Sequence, residues 1–385
     1  MIATGAVLGV LGGGQLGSMF AEAAQRLGYE VAVWDPDPDA PAHRIVRHSF
    51  AQSFADRRTF EAFTDLVSVV TYEWENVPWT LCRDLEQRKP LRPSSAVLKI
   101  IQDRVVQKDY LRARDFPVPR YAAVSSPEHL SEAVATIGFP AVCKTATAGY
   151  DGKGQWRIRS QSDLPEVREA VRTACQQGTR WIVESFVPFE RELSVLAVRG
   201  MDGTTVVYPI AENEHDDGIL RTTVVPARIS SSLAMRIEEL ARRTVEQLDG
   251  IGVFCLELFE LPGEQILINE IAPRPHNSGH YTLDACSVSQ FEQQVRSICG
   301  LPLGEVRLTG PGVMVNLIGD EVNRVTQGDC PALLAVPGSV LHLYGKRNVR
   351  PHRKMGHVTF LASRQEAAME RARHLRDCLA KAAIT

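Results

Sequence analysis

Short apolar runs alternate with stretches in which apolar residues recur every three or four positions, a pattern that predicts strands of a parallel sheet joined by helices. The first run, Ala6–Leu11, ends in Gly12-Gly13-Gly14-Gln15-Leu16-Gly17, and behind it Leu16, Phe20, Ala23 and Leu27 share one helical face. Val31–Trp34 and Leu66–Thr71 are further runs, the first stopping at Asp35 and the second entering Tyr72-Glu73-Trp74-Glu75-Asn76-Val77-Pro78. Pro90, Pro93 and Ser94-Ser95 close this region and open a helix with Arg104 and Lys108 on one face, so a boundary is expected between residues 95 and 115. After Pro117 and Pro119 the order reads helix (Pro127–Ile137), strand (Ala141–Thr145), glycine loop, strand (Gln155–Arg159), helix (Asp163–Gln176), strand (Arg180–Glu184). The remainder reads as strands and hairpins with helices at Ser232–Leu248 and Ser289–Cys299, a β-rich tail and a last helix from Arg364.

Composition narrows the class. Hydrophobic residues make up 44% and charged residues 23% of 385, an ordinary globular balance with length for two or three domains. The 43 basic and 46 acidic side chains leave a net charge of −3, too little positive field for a nucleic-acid partner. No apolar stretch is long enough to span a membrane and no secretory leader pattern opens the chain, so a cytoplasmic protein is expected. Its eight cysteines are scattered without metal-ligand spacing and read as reduced thiols.

Six segments carry candidate chemistry. The opening loop fits G-x-G-x-x-G through Gly12, Gly14 and Gly17 with Asp35 after the second strand, which suits a dinucleotide, another phosphate, or a tight turn with no ligand. The loop Gly149-Tyr150-Asp151-Gly152-Lys153-Gly154-Gln155 joins two strands, so it is a hairpin tip able to cover phosphates, with Lys144 and Lys153 to neutralise them. Val253–Glu260 and Gln265–Ile271 flank a four-residue turn. If Glu260 pairs with Gln265, Glu257 lies opposite Ile268 and Glu270 stands diagonal to Glu257 on the same face. Two carboxylates without His or Cys ligands suit Mg²⁺ held with nucleotide phosphates. Directly after, Arg274 offers a planar fork for a small oxyanion, with His276 beside it to donate or move a proton. Glu73 and Asn76 at a strand end can read ribose hydroxyls, and Lys346, Arg347, Arg350, Arg353 and Lys354 form a basic knot suited to a phosphomonoester that converges with the opening loop.

Taken together, GGGQLG at 12–17, YEWENV at 72–77, QDRVVQK at 102–108, GYDGKGQW at 149–156, HDDGILRTT at 215–223, INEIAPRPHNSGHYT at 268–282, NLIG at 316–319 and KMGH at 354–357 resemble the ATP-grasp ligases that make 5-(carboxyamino)imidazole ribonucleotide in purine biosynthesis. The resemblance runs nearly end to end. It implies an α/β chain, α+β in its ATP clamp, with three domains: a Rossmann-like pre-ATP-grasp domain at 1–112, a small lid domain at 113–187, and a large domain at 188–385 whose C-terminal β-rich part starts near 310. It implies ATP contacts from Arg104, Lys144, Gly149, Tyr150, Asp151, Gly152, Lys153, Gly154, Gln155, Glu184, Ser185, Phe186, Val187, Glu192, His215, Asn269 and Glu270. Glu257 and Glu270 would hold Mg²⁺, with Mn²⁺ as an alternative, and no biotin is used. Arg274, His276, Asn277 and Ser278 would bind bicarbonate and carboxyphosphate, Tyr150 closing over them. Gln15, Leu16, Glu73, Asn76, Lys346, Arg353 and Lys354 would bind 5-aminoimidazole ribonucleotide, in a homodimer. Three positions depart from the family pattern: the stretch Thr145–Ala148 before the lid, Ser18, and Ala272, where many ATP-grasp enzymes carry Asn. A nicotinamide-dependent oxidoreductase built on the first loop would leave the hairpin tip, the carboxylate pair and the Pro275–His280 segment without a role.

Overall fold

Residues 1–147, 149, 154–175, 178–327 and 331–381 are described by the computed structural model. Four parallel strands, β1 (Val7–Leu11), β2 (Glu30–Trp34), β3 (His48–Phe50) and β4 (Val69–Tyr72), form a sheet of order β3-β2-β1-β4. Their near-continuous apolar runs follow from cover on both faces. Leu8, Val10, Val31 and Val33 pack on Leu16 and Phe20 of the helix Gln15–Arg26, while Leu11, Trp34 and Val70 pack on Phe63, Leu81 and Leu85 on the other face. The helices carrying these last three, Arg57–Leu66 and Trp79–Glu86, do not emerge from the sequence pattern because each offers only two or three buried apolar positions. Strand order reverses at β1, with β2 on one side and β4 on the other. The switch point therefore brings the glycine loop after β1 against Glu73 after β4.

A second sheet, β5 (Tyr121–Val124), β6 (Ala141–Thr145), β7 (Gln155–Ile158) and β8 (Trp181–Ser185), is antiparallel in the order β5-β8-β6-β7. Its apolar face is closed by the helices Pro127–Ile137 and Leu164–Cys175, through Leu130, Val134, Val167 and Val171.

The largest sheet, nine strands among the described residues, contains β9 (Arg191–Arg199), β10 (Thr205–Val207), β11 (Ala211–Asp216), β12 (Ile219–Val225), β13 (Gly252–Leu261), β14 (Gln265–Ala272), β15 (Gly312–Ile318), β16 (Ser339–Leu343) and β17 (Lys354–Leu361). It runs β14-β13-β9-β11-β12-β15-β17-β16, with β10 added on β9. The helix Ser231–Leu248, capped by the Ser230 hydroxyl, buries Leu233, Ile237, Ala241 and Val245 against it. Each enclosed Leu, Ile or Val contributes about 1.5–3 kcal/mol. The β-rich tail is hydrogen-bonded into this same sheet where β12 pairs with β15.

No helix among the described residues is long and apolar enough to cross a membrane. Cys82, Cys143, Cys175, Cys255, Cys286 and Cys299 are free. Cys378 is disulfide-bonded, which corrects the expectation of a reduced thiol there.

Candidate active site

The hairpin β13–β14 brings its two carboxylates closer than the sequence register predicts. Leu261 pairs with Gln265, so the turn is Pro262-Gly263-Glu264, one residue shorter than expected, with Glu264 at a φ of 59°. Leu258 then faces Ile268, and a bulge that passes over Asn269 sets Glu257 directly opposite Glu270. Burial pushes the Glu257 pKa up, but His276, His215 and Lys354 outweigh it and hold the carboxylate at about 2. The side-chain Oδ1 of Asn269 is buried without a hydrogen-bond partner. Two opposed carboxylates offer hard oxygen ligands that fit a divalent cation such as Mg²⁺.

His276 Nε2 lies 2.9 Å from Glu257 Oε1. Burial opposes charge on the ring, and Cys255 and Glu257 more than offset it, lifting its pKa to about 10. The backbone of His276 is bracketed by Gln290, whose Oε1 accepts its N–H and whose Nε2 donates to its carbonyl, each at 2.8 Å. Arg274 is clamped by Glu75: its Nε and Nη2 donate to the two carboxylate oxygens, while Nη1 donates to Pro275 O at 3.0 Å. Of the five guanidinium N–H groups, that leaves one on Nη1 and one on Nη2 for an anion. Asn277 and Ser278 turn inward. The Asn277 amide pairs reciprocally with Asn316, at 3.1 and 2.7 Å, and Ser278 Oγ lies 2.8 Å from His276 Nδ1. One cavity is lined by Asn76, Arg104, Gly149, Glu257, Glu270, Arg274 and His276, so seven residues singled out in the sequence meet there.

Behind this cavity, the helix Arg104–Arg112 begins at an Asp103 cap and projects Arg104 and Lys108 from one face. Arg104 donates to the carbonyls of Thr145 and Gly149 and to Glu270, each at 3.2 Å, which ties the base of the glycine hairpin to the carboxylate pair. Lys108 and Lys144 both pair with Glu184, at 3.2 and 2.9 Å. Burial pushes Glu184 up, and the two lysines overcome it to hold the carboxylate at about 2. Past β8, the N–H groups of Ser185 and Phe186 donate to the carbonyls of Arg120 and Pro140, and Val187 is buried. Glu192 is paired with His215 at 2.6 Å. Gly154 and Gln155 lie at the start of β7, whereas Tyr150, Asp151, Gly152 and Lys153 fall outside the described residues.

At the opening loop the amides of three glycines are already occupied. Asp35 accepts the N–H of Gly13 at 2.6 Å, and Glu73 accepts those of Gly14 and Gly17 at 2.5 and 2.6 Å. A dinucleotide pyrophosphate finds no unpaired N–H at these three glycines, which leaves the other two readings of the loop. Burial raises the Glu73 pKa and Asp35 adds to the rise, while the loop amides and Lys346 offset it only in part. That coupling, the Arg347–Asp39 ion pair at 3.2 Å and the Arg44 hydrogen bond to Gly345 O place the start of the basic knot beside the loop. Arg353 donates to Asn348 O within its own loop. Leu16 is buried in the sheet core, so only its backbone and Gln15 can face a ligand. Glu75, Lys108, Gln290 and Asn316 were not singled out as site residues, and the nearest signal was the second acid of the 72–77 motif.

Three domain families match the chain in sequence order: the ribonucleotide synthetase preATP-grasp domain at residues 6–102, the ATP-grasp domain at 109–291, and the phosphoribosylaminoimidazole carboxylase C-terminal domain at 312–371. The N5-carboxyaminoimidazole ribonucleotide synthase of Bacillus subtilis strain 168 is 40% identical over 361 residues, 94% of this chain and 93% of its own. A crystal structure of an N5-carboxyaminoimidazole ribonucleotide synthetase with ADP superposes with a TM-score of 0.93 at 41% identity, covering 98% of this chain and 97% of that one. The Aspergillus clavatus N5-carboxyaminoimidazole synthase, solved with ADP and 5-aminoimidazole ribonucleotide, gives 0.89 at 32% identity, covering 98% and 99%. With three such domain families matched in sequence order and relatives this similar over nearly the whole chain, the chain belongs to the N5-carboxyaminoimidazole ribonucleotide synthase family of ATP-grasp ligases.

Proposed function

We infer that this chain is an ATP-dependent carbon–nitrogen ligase that carboxylates 5-aminoimidazole ribonucleotide with bicarbonate, releasing ADP and phosphate, in purine biosynthesis. The observation that carries this reading is the single cavity in which Glu257 and Glu270 stand opposed beside Arg274 and His276. A metal site and a small-anion site share one floor there.

Glu257 and Glu270 are the groups that would hold Mg²⁺ or Mn²⁺, which when bound would neutralise charge on the transferring phosphoryl group. Arg104, Lys144, the Gly149–Gln155 hairpin, Glu184–Val187, Glu192 and His215 then contact ATP. Bicarbonate takes the two remaining N–H groups of Arg274 and the polar face of His276, with Asn277 and Ser278 fixing the loop beneath. Its oxygen attacks the γ-phosphorus, the bond to ADP breaks, and the fixed N–H groups stabilise the charge that develops. Carboxyphosphate then yields CO₂ and phosphate. The exocyclic amine of the ribonucleotide attacks the CO₂ carbon, and the proton it loses passes to the phosphate formed beside it. Tyr150 in the lid limits escape of CO₂. The ribonucleotide lies across the seam of the first and third sheets. Each Glu73 oxygen has a lone pair left for ribose hydroxyls, Asn76 lines the cavity that holds Arg274 and His276, and Lys346, Arg353, Lys354 and the Gln15–Leu16 backbone suit its phosphate. The same reading takes the enzyme as a cytoplasmic homodimer.

The test is ADP formation by the purified protein. It should require the ribonucleotide, bicarbonate and Mg²⁺, and should vanish in Glu270→Ala and Lys144→Ala. ADP release that is indifferent to the ribonucleotide, or equal in all three proteins, sinks the reading.

A further inference from the structure

Beneath the His276 loop, a line of buried polar side chains crosses three adjacent strands of the largest sheet, where apolar residues would pack at no desolvation cost. Thr223 on β12 is the cross-strand partner of Asn213 on β11, and Ser194 on β9 is diagonal to Asn213 on the same face. Thr223 Oγ1 lies 3.0 Å from Asn213 Oδ1, Asn213 Nδ2 lies 2.8 Å from Ser194 Oγ, and Ser194 Oγ lies 2.8 Å from Ser278 Oγ. Thr223 is 0%, Ser194 3% and Asn213 9% exposed, so water cannot replace any link.

The direction of the line follows from donor chemistry. An amide oxygen carries no proton, so Asn213 Oδ1 accepts from Thr223, and an amide nitrogen has no lone pair, so Nδ2 donates to Ser194. The Ser194 proton is then directed to Ser278 Oγ. With that bond received, Ser278 keeps one proton and one lone pair, which face His276 Nδ1 at 2.8 Å and Cys255 Sγ at 3.8 Å, and the Ser278 backbone N–H also donates to His276 Nδ1 at 3.3 Å.

We propose that Thr223, Asn213 and Ser194 are positioning residues, a one-way hydrogen-bond relay that holds Ser278 and through it the His276 ring in the orientation the bicarbonate chemistry needs. None of the three lines the active-site cavity. The proposal rests on His276 belonging to the small-anion site, as argued above.

Thr223→Val keeps the shape of the side chain and deletes the first donor, whereas Thr223→Ser keeps the donor. In ¹⁵N-histidine-labelled full-length protein, the His276 ring signals, assigned by their loss in His276→Asn, should move in Thr223→Val and stay in place in Thr223→Ser. The kcat for carboxylated product should fall about tenfold in Thr223→Val with the KM for ATP unchanged, and Thr223→Ser should match the wild type. Unmoved ring signals with an unchanged kcat in Thr223→Val, or equal losses in both variants, overturn the relay. If the wild type forms no ribonucleotide-dependent ADP, the function reading falls, and the ring signals still decide the relay.

Discussion

Glu184 shows how far a single side chain can depart from its surface role. It is 3% exposed, and it remains ionised because Lys108 and Lys144 face its two oxygens. Its folded pKa of about 2 is below the ordinary 4.5, so its contribution to stability is present in full above pH 4.5 and is lost as pH falls toward 2. Burial lowers the Lys108 pKa, which offsets part of that gain. Glu184→Gln should destabilise the protein by about 2 kcal/mol at neutral pH. Thermal unfolding midpoints of the two proteins should converge between pH 4.5 and 2. A constant gap across that range contradicts the assignment. Residues of this kind are hard to read from a sequence. Glu257, Glu270, Arg274 and His276 stand out because their charges cluster along the chain, whereas Glu75 acquires its role from Arg274, 199 positions away. Gln290 and Asn316 are likewise uninformative until folding puts a backbone or a second amide beside them.

Among the elements, the helix Arg104–Arg112 links the carboxylate pair to Glu184, because it carries both Arg104 and Lys108. The Asp103 carboxylate accepts the N–H groups of Val105 and Val106 at 2.9 and 3.1 Å and also pairs with Arg180. Asp103→Ala should cost about 1–2 kcal/mol as a lost cap. It should also raise the KM for ATP severalfold by loosening Arg104, while Asp103→Asn, which keeps the capping oxygen, should lie closer to the wild type. Unfolding curves and ATP saturation together check this, and an unchanged KM in the Ala variant counts against the link. Most elements are legible from periodicity: the long helix Ser231–Leu248 departs by one residue from its expected start, β1 and β6 end where their apolar runs stop, and β8 lies one residue beyond its expected span. The hairpin register was not legible. A bulge costs one residue and leaves no mark on hydrophobic alternation, so the pairing of Glu257 with Glu270 appears only in the fold.

At the level of the whole molecule, the first sheet supplies the glycine loop and Glu73, the second the lysine-bound Glu184, and the third the carboxylate pair and the basic knot. Sequence order conveys this division, but not that β15–β17 continue the clamp sheet, because strand pairing between β12 and β15 spans a long separation. Two neighbours in the knot should behave differently. Arg347, 67% exposed and paired with Asp39, can be changed to Ala at a cost of less than about 0.5 kcal/mol and with little effect on kinetics. Lys346→Ala should raise the KM for the ribonucleotide at least about tenfold and leave that for ATP alone. Equal kinetic effects of the two substitutions would place the phosphate elsewhere. The tie between Glu73 and the glycine loop also has a history written into it. A Cβ on Gly12 would come within 2.5 Å of Glu73 Cγ, and one on Gly14 within 2.6 Å of its Oε1. Neither motif is free to drift alone: in any lineage that alters these glycines, position 73 must shorten in the same step, so the two segments, 59 residues apart at Gly14 and Glu73, should vary as a single character.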